Sequence, residues 1–164
     1  MKNNKLTDNL PIDLVYSKIR EILEKSRLNV IRAVNSAMVY AYWEIGRIIV
    51  EEEQRGKERA EYGVKLISSL SIKLTKEYGK GFNERNLWYM KHFYLIFPKL
   101  NALRTELGWT HYRLLIRIEK EDSRNFYLNE TINSRWSTRE LERQINSLLY
   151  ERIKLSKNKK KVKE

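Results

Sequence analysis

An all-α helical bundle, with a helix-turn-helix unit at its centre and a long helix at the N-terminal end, is the fold these 164 residues predict. Three observations point there. Apolar residues recur at three- and four-residue steps through nearly every segment, the stripe of a helix with one buried face. No run alternates with the period of two that a half-buried strand requires. With six Gly and two Pro in the whole chain, neither a turn-rich β-sandwich nor a glycine-rich phosphate loop has its raw material.

The first stripe runs through Ile12, Val15, Ile19, Ile22 and Leu23. It resumes as Val30, Val34, Ala37, Met38, Ala41, Ile45, Ile48 and Ile49, with no proline between Ile12 and Glu53. A single helix over residues 13–54 would be roughly 60 Å long at about 1.5 Å per residue, more than a globule of this size needs. Two outcomes follow: a break near residues 26–29, or an extended arm that pairs with another chain. Gly56 is placed to end this helix.

A second helix is expected over residues 62–78, with Val64, Ile67, Leu70 (or Ser71) and Leu74 inward. Gly79-Lys80-Gly81 stops it, two glycines offering the left-handed conformations of a tight turn. Asn83 caps a third helix that Pro98 ends, with Leu87, Met90, Phe93, Tyr94 and Phe97 on its apolar face. Residues 99–108 read as a connection in which a short two-stranded wing is left open. Thr110 is expected to cap a helix through Ile118, and another spans residues 121–131. The last starts at the capping box Ser137-Thr138-Arg139-Glu140 and continues through Leu141, Ile145, Leu148, Leu149 and Ile153. The expected organisation is therefore a disordered start over 1–11, a helical domain over 12–153 and a basic disordered tail over 154–164.

Charge narrows the function. Lys and Arg number 33 against 21 acids, a net charge of +12, and a surplus of that size favours a polyanionic partner, most simply nucleic acid. Residues 152–164 hold seven bases and one acid, half of the surplus, in a lysine-rich tail with too little apolar surface to order itself. Residues 62–118 hold ten bases against three acids, so a folded basic surface is expected there as well. Cysteine is absent, which excludes disulfides, thiolate metal sites and cysteine nucleophiles and fits a reducing interior. No segment is apolar enough to span a membrane or to serve as a secretory signal, so a soluble, cytoplasmic protein is expected.

Two helices joined by a short glycine turn form the helix-turn-helix pattern, although they are also the commonest corner of all-α proteins. In DNA readers of this kind the first residues of the second helix reach base edges, and the preceding turn touches phosphates. Arg85 has the chemistry for a guanine edge, Asn86 for an adenine edge and Lys91 for a phosphate, with Asn83 positioning the helix. Lys76 and Lys80 flank the turn and suit backbone contacts. Trp43, Trp88, Trp109 and Trp136 sit at core-like spacings, Trp88 being the one expected at the surface. His92 and His111 have no second ligand at helical spacing, so no catalytic residue, metal or cofactor is expected.

Five ordered segments carry a family resemblance: residues 35–47 ending in Trp43-Glu-Ile-Gly-Arg47, residues 62–74, residues 78–87 with Gly79-Lys-Gly-Phe-Asn83, residues 108–115 from Gly108-Trp109, and residues 136–141. Together they resemble the N-terminal domain of the YhcG family. The resemblance implies a helical domain of winged helix-turn-helix character that binds DNA and precedes a PD-(D/E)XK nuclease domain. That nuclease site needs acids around a divalent metal with a nearby lysine. This chain has three Asp and no Glu-x-Lys or Asp-x-Lys, and the nuclease half would lie C-terminal to it.

The leading expectation is therefore a non-catalytic module binding duplex DNA in preference to single strands. The alternative is an oligomerisation or docking module, either a homodimer through the N-terminal stripe or a partner for a nuclease domain or subunit in trans. RNA binding through exposed aromatics and the tail ranks last, since no RNA-binding signature is present.

Overall fold

The computed structural model describes residues 10–56 and 62–156. Among them are seven α-helices and no strand: α1 (Leu10–Arg55), α2 (Tyr62–Tyr78), α3 (Glu84–Ile96), α4 (Trp109–Leu115), α5 (Glu121–Asn133), α6 (Thr138–Asn146) and α7 (Leu149–Leu155). Two 3-10 turns, Lys80–Phe82 and Leu100–Ala102, lie before and after α3. No helix of the described residues is long and apolar enough to cross a membrane. Of the stretches expected to lack structure, residues 1–9 and 157–164 lie outside the described residues, while 10–11 begin α1 and 154–155 end α7.

The chain divides into two units, residues 1–34 and residues 35–164. In the first, the described residues form a stretch of α1 in which every side chain from 11 to 34 is exposed. No break interrupts α1 near residues 26–29; with neither Gly nor Pro there, the i→i−4 ladder simply continues.

The second unit holds the core. Val39 and Trp43 of α1 pack with Phe93 and Phe97 of the α3 region, Tyr112 and Leu115 of α4, Tyr127 and Leu128 of α5, Leu141 of α6 and Leu149 of α7. A second cluster, Ile49, Leu87 and Met90, receives Ile67, Leu70 and Leu74 from α2 and Phe82 from the turn. Ile67, Leu70 and Leu74 of the face expected for α2, and the face expected for α3, are thus turned to the core, with Ser71 also buried; the Val64 side chain lies outside what is described. Trp43 adds a polar anchor: its Nε1 donates to the Phe97 carbonyl at 2.6 Å, satisfying an orphan acceptor at the end of α3.

Gly46 sets a close helix contact. A Cβ at this position would lie 2.0 Å from the Met90 carbonyl oxygen and 2.7 Å from its carbon, so α1 and α3 meet backbone against backbone. Only a residue without a side chain fits.

Several expectations change at the connections. Gly79 alone takes a left-handed φ (89°); Gly81 needs no such freedom, because the 3-10 turn carries the chain from α2 to α3. Residues 99–108 contain no wing. Their backbone donors close local turns (Ala102 to Lys99, Leu103 to Leu100, Leu107 to Arg104) instead of pairing across strands. Buried Leu103 and Leu107, with the Arg104 N–H donating to the Tyr112 phenol at 2.6 Å, pin this connection to the core. The N-cap of α4 is Gly108, not Thr110.

The last helix divides into α6 and α7 because Leu148 adopts a left-handed conformation (φ 53°, ψ 43°). Tyr127 makes the break tolerable. Its hydroxyl accepts from the Tyr150 N–H at 3.1 Å and donates to the Gln144 carbonyl at 3.3 Å, serving the two loose ends at once. Half of the expected capping box forms: the Ser137 hydroxyl accepts from the Glu140 N–H. The Glu140 carboxylate instead binds Arg143 and Gln144, each at 2.7 Å.

Gly46→Ala should therefore destabilise the fold by about 1–3 kcal/mol through overpacking, although alanine is the better helix former. Gly81→Ala should cost little, since an added Cβ there meets nothing within 4 Å. Urea denaturation midpoints of the two variants test the contrast; equal midpoints would contradict the backbone contact.

Candidate nucleic-acid interface

The segment from α2 to α3 has the connectivity of a helix-turn-helix, and its turn is built from side-chain amides. Asn83 caps α3 by accepting from the Asn86 N–H at 3.0 Å, while its own amide donates to the Lys80 carbonyl at 3.2 Å. The Asn86 amide donates back to the Gly81 carbonyl at 3.0 Å. Both asparagines therefore lock the turn to the first residues of α3, fixing where Arg85 starts.

Arg85 is exposed, and so are Lys76 and Lys80. Lys91 is placed differently. It lies one and a half turns further along α3 and meets Glu53 of α1 at 2.6 Å, with both side chains largely covered. Its charge is committed to the α1–α3 contact. Glu44 and Glu51 similarly flank Arg47 at 2.7 and 2.8 Å, and these bonds push the guanidinium's pKa up.

The structure joins to Arg85 several residues that spacing alone did not single out. The Arg85 guanidinium lies 5.8 Å from the centroid of the Tyr89 ring, and Arg113, from α4, lies 4.9 Å from the same centroid. Hydrogen bonding from Arg85, reinforced by Arg113, holds the Tyr89 phenol below its usual range. Neither arginine forms an ion pair among the described residues, and the buried Nε of Arg113 has no hydrogen-bond partner there. Beside them a recess of about 220 Å³ is lined by Arg113, Arg117 and Arg139 with Thr110, Thr138 and Tyr89, and by one acid, Glu142.

On the neighbouring side of α3, Trp88 is 49% exposed, as its position implied, and stacks on His92 with centroids 4.8 Å apart. These two line a cleft of about 800 Å³ together with Arg117 and Arg124, and with Glu119 and Glu121 at its edge. Arg124 is held by the Ile118 carbonyl at 2.8 Å. The excess of bases over residues 62–118 is a sequence signal for Arg113 and Arg117 but not for Arg124 and Arg139, which lie beyond it; their convergence depends on how α4, α5 and α6 pack.

His111 belongs to the framework. His111 accepts the Gly108 N–H at Nδ1 (3.3 Å) and reaches the Trp136 carbonyl through Nε2 (3.2 Å), which requires the neutral ring with its proton on Nε2. Burial lowers its pKa despite the Trp136 bond, and burial, followed by the Arg124 and Lys91 charges, lowers that of His92. No group of three or more His, Asp or Glu among the described residues is arranged to hold a metal ion.

Residues 18–152 match the family model for the DUF1016 N-terminal domain. The chain belongs to this family. It is also similar to the "Putative nuclease YhcG" of Escherichia coli (strain K12), at 34% identity over an aligned length of 177, covering 88% of this chain and 47% of that protein. The chain thus spans about half the length of the curated relative it matches. No solved structure matches it. The family resemblance read from the five motifs is correct, and Gly46, Gly79 and Asn83, which fix the helix contact and the turn, all lie inside those motifs.

The lowered histidine pKa values give stability a direction in pH. Because the folded state binds protons less readily than the unfolded chain, the stabilisation is present above the ordinary histidine pKa of about 6.5 and is lost as pH falls through the lowered values. Denaturation midpoints should fall between pH 7 and pH 5, and His111→Gln should flatten that slope. A slope unchanged in the variant would contradict the assigned neutral ring.

Proposed function

We propose that this chain is a non-catalytic DNA-binding module of a YhcG-type nuclease, binding duplex DNA in preference to single strands. The observation that carries the reading is the convergence of Arg85, from the capped start of α3, with Arg113 of α4 and Arg117, just past its end, around Tyr89. Guanidiniums without carboxylate partners are costly to gather unless an anion is there to meet them. A phosphate backbone supplies that anion repeatedly.

In this reading Arg85 enters the groove and reads a base edge, with Asn83 and Asn86 holding the turn that aims it. Lys76 and Lys80 neutralise phosphates on the turn side, and Arg113, Arg117 and Arg139 do so on the other. Lys91 contributes through its Glu53 pair by fixing the pitch of α3 against α1. The net charge of +12 and the nuclease named among its relatives agree with a nucleic-acid partner. The cutting chemistry is assigned to a separate domain, and we place the module in the cytoplasm.

Binding titrations on a panel of duplexes test the assignment. Lys80→Ala and Arg117→Ala should weaken binding to all sequences and lower the salt slope by about one each. Arg85→Ala should cost about 1–3 kcal/mol on the preferred sequence and much less elsewhere. Equal loss on every duplex would contradict base reading by Arg85, and unchanged affinity in the other two would contradict the phosphate surface.

A further inference from the structure

The first unit leaves an apolar helix face uncovered. Ile12, Tyr16, Ile19, Leu23, Ser26 and Val30 follow one another at alternating steps of four and three residues, the 3.5-residue spacing of a coiled-coil seam. Their five apolar members are between 51% and 68% exposed. On the opposite side of the helix lie Lys18, Glu21, Glu24, Lys25 and Arg32, interrupted by exposed Leu14 and Leu28, so the continuous apolar stripe has a back that is mostly charged.

From this we propose that residues 12–34 form a parallel, in-register coiled coil with the same residues of a second copy of this chain. Three features favour that occupant. The first is area: with Val15, Ile22 and Val34 at its margins, the stripe offers on the order of 800 Å² of apolar surface per chain, which is what a stable two-chain interface buries on each side.

The second is Ser26, the one polar residue in the seam. Its hydroxyl already donates to the Ile22 carbonyl at 2.8 Å within its own helix. It therefore brings no unmade donor into a dry interface, and its small side chain lets two helices approach closely.

The third is flanking charge. In a parallel pair the seam is bordered by Val15 and Ile22 on one side and by Arg20 and Arg27 on the other, so each arginine stem lies over an aliphatic residue of the partner. Antiparallel pairing would bring like arginines together across the seam.

The absence of cysteine makes the test direct. Sedimentation equilibrium of the full chain should give a dimer, and Ile19→Asp with Leu23→Asp should convert it to monomer. All four tryptophans lie at or beyond Trp43, so unchanged tryptophan fluorescence would show the second unit intact in that variant. Ser26→Cys should cross-link into a covalent dimer on mild oxidation, whereas Glu21→Cys, on the charged back, should not. A monomer at every accessible concentration would overturn the proposal, leaving the stripe to a different partner. So would a dimer indifferent to the aspartates, or cross-linking no faster at 26 than at 21.

Discussion

The contact between Gly46 and the Met90 carbonyl is the constraint on which the second unit depends. Once α1 and α3 touch backbone to backbone, the side chains on either side have fixed places. Trp43, one turn before Gly46, reaches the end of α3 and caps it through Phe97, while Ile49, one turn after, closes on Leu87 and Met90. The Lys91–Glu53 pair follows the same contact further along both helices. Exposed ion pairs contribute little, but this one is largely covered and joins two elements, so it fixes register more than it adds stability. The orientation of the exposed side of α3, with Arg85, Trp88 and His92, is thereby set by its buried side.

Charge is distributed in accordance with that division. Acids gather where α1 ends and are spent on internal partners, Glu44 and Glu51 with Arg47 and Glu53 with Lys91. Arg85 of α3 and Arg113 of α4 meet a phenol instead, beside a recess in which Arg113, Arg117 and Arg139 face one acid, Glu142. Such a surface carries a net field outward, and a long polyanion can answer it at several points together. Helices α5 to α7 support the arrangement from behind: Tyr127 serves the ends of both α6 and α7, and Ser137 starts the helix that presents Arg139.

Much of this was legible in the chain itself, wherever a local rule decides the structure. Asn83 and Ser137 announced helix starts because a short side-chain acceptor satisfies a free N–H whatever surrounds it. The stripes of α2 and α3 named their buried faces for the same reason. Leu148 gave no warning of the break between α6 and α7: a leucine is a poor choice for a left-handed position, and it is held there by what Tyr127 offers from another helix. Residues 99–108 likewise close local turns because Tyr112 and two buried leucines hold them, a tertiary cause. At the candidate site, the spacing in α3 singled out Arg85 and the cap Asn83; it gave Asn86 an adenine edge, whereas the Asn86 amide binds the Gly81 carbonyl. It could not gather Arg113, Arg117 and Arg139, which meet only when separate helices pack, and it could not foresee that Lys91 faces Glu53.

The claim that matters most is that the folded arginine surface, and not the lysine-rich end of the chain, engages DNA. A salt-dependent titration on one duplex, comparing the full chain with a chain ending at Ser156, addresses it directly. The account predicts that the shortened chain keeps duplex binding with a steep dependence on salt, losing only the share of the slope carried by the removed lysines. Binding that disappears with those residues would contradict it.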